Sequence, residues 1–472
     1  MNPAYGVLMP GFPGTTLPDW IASPLRGGLV GVILFAENVP DLETTRRLTD
    51  AVRAANPAAV VSSDEEGGDV TRIQAATGSF LPGNAALGEL DDVDLTRRIA
   101  AAYGRLIALA GIDLALGPCL DVASEPLNPV IGTRSFSAST AVVGAHGRAF
   151  VAGLGDAAVA SCGKHFPGHG ATALDSHLAL PVLDVTHEEL VRRDEEPFAV
   201  ARPDAIMTGH LVVTPLGEEA ATLASWAYRD ARALGHDGPL LTDALGMRAI
   251  TDRMDIGEAT VRALEAGADL VLLDAPHMRD AEADFHAAVG AVTDALATGR
   301  LTEQALLRSA ARNATLRRPR PAVDAASFSA ALDELRSLGE WAAEAAIRWS
   351  GDVALTAPPV VVDVRRRVNH ASGSLANPVV AALRAEGTDA VLAVPGEALP
   401  ADRQPVVVTR HPLSDPKEAD ALRAVLEARP DSVVVHGGVR AAAPAVERLI
   451  CMHGLGLVNA RAAAQLLTGA RR

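Results

Sequence analysis

Short runs of consecutive apolar residues, each followed by an amphipathic stretch, recur through the first two thirds of the chain. The runs are YGVLMP near residue 5, LVGVILF at 29–35, AAVVSS at 58–63, IDLALGP at 112–118, AVASCGKH at 158–165, DAIMTGH at 204–210, PLLTDA at 239–244 and ADLVLLD at 268–274. Apolar residues in succession, rather than in alternation, are expected of strands buried on both faces. Between them, LETTRRLTDAVRAA (42–55), LTRRIAAAYGRLIALA (95–110) and IGEATVRALEAGA (256–268) carry helical periodicity. Eight such repeats point to an α/β chain folded as a (β/α)8 barrel, with a doubly wound open sheet as the alternative.

In a parallel barrel all strands open their C-terminal ends on one face, and active sites sit there. Asp64 and Glu65 follow the third run and Asp121 lies just past the fourth. Lys164 and His165 close the fifth, His210 the sixth, Asp243 the seventh and Asp274 the eighth. One aspartate at a strand end is commonly a helix N-cap. A polar or charged residue at the end of nearly every strand is not explained that way.

After residue 300 the pattern changes. LTEQALLRSAARNATLRR and FSAALDELRSLGEWAAEAAIRW read as helices joined by RRPRPAVDAAS. Strand-like runs then recur at 358–364, 389–396, 404–411 and 431–438, enough for a small open sheet with flanking helices. The expected organisation is a barrel over 1–320, a helical linker over 321–350 and a small C-terminal α/β domain over 351–472. No catalytic constellation is visible in the last.

Composition narrows the function classes. A formal charge of −16 argues against nucleic acid or an anionic membrane surface as partner. Aromatics at 3% give little material for stacking platforms. Three scattered cysteines, Cys119, Cys162 and Cys451, form neither a disulfide framework nor a thiolate metal set. The opening MNPAYGVLMPGFPG lacks a basic segment and a long apolar core, so it does not read as a signal peptide. With no apolar run long enough to span a bilayer, the expected location is the cytoplasm.

The densest chemistry lies in KHFPGHGATALDSHLALP, Lys164 to Pro181. His165 and His169 have the spacing of a helical metal pair, but Pro167 and Gly168 between them oppose a helix. No HExxH or cysteine ligand set accompanies them, so no metal is expected. Asp175 and His177 share a face in an extended segment. A carboxylate on one imidazole nitrogen frees the other for proton transfer; an Asx-type turn with a solvated histidine is the plainer reading. Gly168 and Gly170 suit a loop that moves. Asp243, closing LLTDALGM, is by itself either an N-cap or a carboxylate aimed into the barrel mouth.

This window resembles the signature of bacterial β-N-acetylglucosaminidases of glycoside hydrolase family 3. GVILFAENV (31–39), SSDEEGGDVTR (62–72), LPGNAALG (81–88), GPCLDV (117–122), NPVIGTRSFS (128–137), IMTGHL (206–211) and LLTDALGM (240–247) are similar to family blocks in family order. The resemblance implies a (β/α)8 barrel, no cofactor, and hydrolysis of GlcNAc-containing cell-wall fragments. It implies Asp243 as nucleophile, His177 as general acid and then base, and Asp175 as its partner. It places Asp64, Arg72, Arg134, Lys164, His165 and His210 around the sugar. It leaves open phosphorolysis on the same scaffold, and a sugar-binding protein without turnover. Oligomeric state is not indicated.

The chain departs from the family at four positions. Ala171 replaces a loop aspartate that reads as loop-ordering, so activity is expected to survive. Ala244 stands where an acidic residue is common. Glu65 and Asp69 replace Gln and Arg. The two extra carboxylates near Asp64 are expected to weaken binding of an anionic muropeptide.

Overall fold

Each of the eight apolar runs contains a strand. The structure, a computed structural model, describes residues 2–172, 180–273, 279–322, 324–366, 377–394 and 397–470. In chain order the first strands are β1 (Leu8–Met9), β2 (Gly31–Leu34), β3 (Val60–Ser63), the hairpin pair β4 (Glu65–Gly67) and β5 (Val70–Thr71), and β6 (Leu114–Ala115). They are followed by β7 (Ala160–Phe166), β8 (Val182–Leu183), β9 (Ala205–Thr208), β10 (Val212–Val213), β11 (Leu240–Thr242) and β12 (Val271–Leu272). Parallel pairing runs β11-β9-β7-β6-β3-β2, and β1 pairs β12. Backbone bonds from Val30 to Tyr5 (2.8 Å) and from Thr242 to Leu270 (3.0 Å) join the two sets. The ring closes as a barrel, which decides against an open doubly wound sheet.

Two apolar layers explain the consecutive apolar runs. Met9, Ile33, Val60, Leu114, Ala160, Met207, Leu241 and Leu272 pack together inside the barrel. Their strand neighbours Val32, Leu34, Val61, Ile206 and Leu240 join the core between barrel and helices. The Leu42–Ala55 helix shows the matching face: Thr45, Leu48, Thr49 and Val52 are buried, and Asp41 caps its first turn on the Thr44 amide. At the N-terminal ends of strands, Asp113, Asp204 and Asp269 are held by Arg53, Arg318 and the pair Arg232 and Arg312. Those contacts serve stability, since the chemistry of such barrels lies at the opposite face.

The 22-residue Ala325–Ala346 helix leads to a second sheet. Its strands are β13 (Arg348–Ser350), β14 (Pro359–Asp363), β15 (Val391–Leu392), β16 (Gln404–Thr409), β17 (Val433–His436) and β18 (Leu449–Cys451). The order is β13-β18-β17-β16-β14-β15, parallel apart from the edge strand β13. This unit packs on the barrel near the third strand. Asn459 donates to the Pro82 carbonyl at 3.0 Å, and a Cβ on Gly339 would lie 1.7 Å from the Phe80 carbonyl. No helix among the described residues is long and apolar enough to cross a membrane.

Candidate active site

The β4–β5 hairpin directly after β3 organises one side of the barrel mouth. Glu65 is its internal pin. The buried carboxylate accepts from the Arg72 and Ile73 amides (3.1 and 3.0 Å), from Ser63 (3.1 Å) and Thr71 (2.7 Å), and from the Tyr103 hydroxyl. Burial pushes its pKa up. On either side of this pin the hairpin presents Asp64, Glu66 and Arg72.

Lys164, at the end of β7, donates to Asp64 Oδ1 at 2.8 Å and pairs with Glu66 Oε1 at 2.7 Å. Arg72 donates to Asp64 Oδ2 at 3.0 Å. Arg134 binds Glu66 through both Nε (2.9 Å) and Nη2 (2.8 Å), a bidentate fork. Burial opposes ionisation of both carboxyls. The facing cations outweigh it, bringing Glu66 down to about 2 and holding Asp64 well below the usual carboxylate range. The Asp64 and Glu66 charges likewise hold the buried Lys164 above its ordinary value. Asp64 keeps 19% of its side chain exposed, while Lys164 keeps 3%. Each Asp64 oxygen already accepts one bond and retains a further acceptor site toward the mouth.

Arg134 Nη2 also lies 3.1 Å from His165 Nε2. A guanidinium only donates, so Nε2 accepts and Nδ1–H donates to Asp121 Oδ2 at 2.7 Å. Asp121 in turn orders the loop after β7. Its Oδ1 accepts the backbone amides of His165 (3.1 Å) and His169 (2.7 Å); burial opposes its ionisation, but the bonds from His165 and His169 hold the carboxyl well below the usual carboxylate range. The His169 ring is enclosed, with Nδ1 against Thr172 Oγ1 at 2.7 Å and Nε2 buried without a hydrogen-bond partner. Burial lowers its pKa to about 4. It belongs to the loop's internal structure, as does the Asn128 amide, which donates to the His169 carbonyl at 2.9 Å.

Asp243 stands at the end of β11, partly exposed. Its amide donates to the Thr208 carbonyl (3.0 Å) and its Oδ1 accepts the Ala244 amide (2.8 Å). His210 is fully buried behind it. Nε2 donates to the Ala244 carbonyl at 2.9 Å and Nδ1 faces Thr222 Oγ1 at 3.0 Å. His210 thus braces the backbone beside Asp243. Asp175, His177 and Asp274 lie outside the described residues.

Sequence reasoning missed Glu66 as the centre of the ion cluster and Asp121 as the loop anchor. The run of acids in DEEGG and the strand-end position of Asp121 were the available signals. The expected effect of Glu65 and Asp69 is corrected by the structure. Glu65 is enclosed in the hairpin, and Asp69 pairs at 2.7 Å with Arg410 of the second sheet, so neither presents a bare charge at the mouth. Cys119, Asp121 and His165 have donor atoms within 4.8 Å of one another, the spacing of a metal set. They bond to each other instead: Cys119 Sγ donates to Asp121 at 3.0 Å, and burial first, then the Asp121 charge, raises the thiol's pKa well above its ordinary value.

The closed parallel barrel thus carries paired carboxylates and cations at its mouth, beside the strand-end Asp243. The chain belongs to glycosyl hydrolase family 3: the family's N-terminal domain matches residues 14–316. It is 34% identical over 337 residues to beta-hexosaminidase A of Pseudoalteromonas piscicida, a match covering 65% of this chain and 56% of that one. It is 36% identical over 307 residues to beta-hexosaminidase LpqI of Mycobacterium tuberculosis, covering 62% and 76%. A glycoside hydrolase family 3 beta-N-acetylglucosaminidase from Paenibacillus sp. str. FPU-7 superposes with a TM-score of 0.88 at 29% identity, covering 100% of this chain and 97% of that one.

Proposed function

We propose that the protein is a retaining exo-β-N-acetylglucosaminidase that removes terminal β-linked GlcNAc from muropeptides in the cytoplasm. Residues 1–320 would form its catalytic barrel, 321–350 a linker and 351–472 an accessory α/β domain. The reading is carried by one observation: Asp64 is held ionised between Lys164 and Arg72 on the rim that also bears Asp243. Asp64 would accept sugar hydroxyls, while Arg72, Arg134, Lys164 and His165 define the ring's seat. Asp64, Glu66 and Asp121 balance Arg72, Arg134 and Lys164, and Asp243 adds a carboxylate at the same mouth. That favours the positive charge developing at the anomeric carbon in glycoside cleavage. The names of the relatives support the N-acetylhexosamine.

In this mechanism Asp243 attacks the anomeric carbon as His177, steadied by Asp175, protonates the leaving oxygen. The covalent glycosyl-enzyme then yields to water that His177 deprotonates, and Asp243 departs as carboxylate. Asp243→Ala should abolish chromophore release from an aryl β-N-acetylglucosaminide, and a slow fluorinated substrate should label Asp243. An undiminished rate in the variant overturns the reading. GlcNAc-1-phosphate as the main product in phosphate buffer would make phosphate the acceptor instead of water.

A further inference from the structure

We infer that Arg410, in the second sheet's unit, is a positioning residue for the sugar-binding groups of the barrel, acting through Asp69. The inference rests on the proposed function for its activity readout. Asp69 occupies the turn of the β4–β5 hairpin, between Glu66 and Arg72. Its carboxylate gathers three separate segments. Arg410 Nη2 lies 2.7 Å from Oδ2. Thr133 Oγ1 donates to the same oxygen at 3.0 Å. The Leu455 amide, from the loop after β18, donates to Oδ1 at 2.7 Å. Arg410 Nη2 also approaches Thr133 Oγ1 at 3.4 Å. Asp69, Thr133, Arg410 and Leu455 are all buried.

The anchor is itself rigid. Arg410 follows β16, and its amide and that of His411 both donate to Glu418 Oε1 (2.6 and 2.9 Å), from the buried side chain of a residue on the Pro416–Ala428 helix. The other end is the binding apparatus. The hairpin's flanks supply Glu66 and Arg72, and Thr133 immediately precedes Arg134. A single buried carboxylate therefore ties the second sheet to the segments that hold three of the site's charged groups. The hairpin has little slack to absorb a change there, because a Cβ at Gly68 would meet the backbone at Gly83 Cα at 2.6 Å. Loss of Arg410 would leave Asp69 buried with its counter-charge removed. The turn would shift, and Glu66 and Arg72 with it.

The test measures the full-length chain with Arg410→Ala, Arg410→Lys, Asp69→Asn and the Asp69→Asn/Arg410→Ala double variant. KM and kcat on an aryl β-N-acetylglucosaminide, the Kd for GlcNAc, and amide hydrogen exchange over 65–73 and 132–135 are followed. Arg410→Ala should raise KM and the GlcNAc Kd by about tenfold or more, change kcat less, and speed exchange in both segments. Arg410→Lys should recover part of the loss, since an ammonium can reach Asp69 but cannot fork to Thr133. The double variant should be no worse than the more impaired single one. Arg461→Ala, which removes a half-exposed pair with Glu340, should change none of these. A folded Arg410→Ala with parental KM and parental exchange overturns the inference. If Arg410→Ala does not fold, Arg410→Lys and Asp69→Asn decide by the same readouts. If the parent protein does not turn over the aryl glycoside, the proposed function fails, and exchange alone decides the positioning role.

Discussion

Lys164 Nζ donates to Asp64 at 2.8 Å from a side chain only 3% exposed. The ammonium also serves Glu66, so one cation bridges two carboxylates that would otherwise repel each other across the hairpin, with Arg72 and Arg134 completing the charge balance. Removing one partner of a buried ion pair leaves an uncompensated charge and typically costs about 3–5 kcal/mol. Lys164→Met should therefore lower thermal stability and weaken GlcNAc binding, by about a hundredfold in kcat/KM. Asp64→Asn keeps the shape but turns one accepting oxygen into a donor facing Lys164 or Arg72; at this more exposed side chain it should spare stability better than Lys164→Met while losing comparable activity. Melting curves and steady-state kinetics on the two variants check this difference. Equal stability in Lys164→Met and the parent would show the cluster to be unimportant to folding.

Glu195 gives a pH signature away from the mouth. Its carboxyl is buried, and Oε1 has no hydrogen-bond partner. Burial and the neighbouring charges of Asp230 and Asp194 raise its pKa from 4.5 to about 8. Between those values the unfolded chain has released the proton and the folded chain has kept it. Stability from this group is thus full below about pH 4.5 and lost as pH rises toward about 8, a difference on the order of a few kcal/mol. Glu195→Gln removes that dependence. The variant should melt higher than the parent at pH 8 and near it at pH 5. A parent-like melting temperature at pH 8 would mean the carboxylate is accommodated when ionised.

The three cysteines offer a simple check on burial. Cys119, Cys162 and Cys451 are free and buried. Burial raises their pKa values, in Cys162 to above the range where thiolate forms at neutral pH and in Cys451 to about 11. Reaction with a thiol reagent requires thiolate and access. The native protein should titrate no thiols on the timescale of minutes, and all three after denaturation. Rapid labelling of Cys119 in the native state would contradict the packing around Asp121.

The barrel was legible in the sequence because strands buried on two faces leave an unbroken apolar signature. Met207 faces inward and Ile206 outward, so neither position tolerates a polar residue. The strand-end rule likewise located Asp64, Lys164, His165 and Asp243. It did not assign roles. His210 obeys the rule and donates to the Ala244 carbonyl, a backbone contact that only the three-dimensional path of the chain reveals. β13 and β18 escaped notice since Arg348–Ser350 is a partly exposed edge and Leu449–Cys451 is only three residues long. The Asp69–Arg410 pair was out of reach for another reason. Nothing local in either segment records a contact between residues so far apart in the chain, and a lone Asp in a Gly-rich turn reads as solvated.

Gly170 tests how tightly the loop after β7 is seated. A Cβ there would lie 1.8 Å from the Val122 carbonyl oxygen and 2.5 Å from its carbon. The obstacle is backbone, so no rotamer change relieves it. Gly170→Ala must lift the loop, and the first contact at risk is the 2.7 Å bond from the His169 amide to Asp121. Because this segment leads to Asp175 and His177, displacement should lower kcat by about a hundredfold. The barrel core is untouched, so most of the thermal stability should remain. Gly155, near the end of the Thr140–Asp156 helix, has nothing within 4 Å of an added Cβ. Gly155→Ala should leave kcat unchanged and raise stability by up to about 1 kcal/mol through helix propensity. Kinetics and melting curves on the pair separate a loop effect from the general cost of adding a methyl group. Parental kcat in Gly170→Ala would show that the loop's close approach to Val122 is not required for turnover.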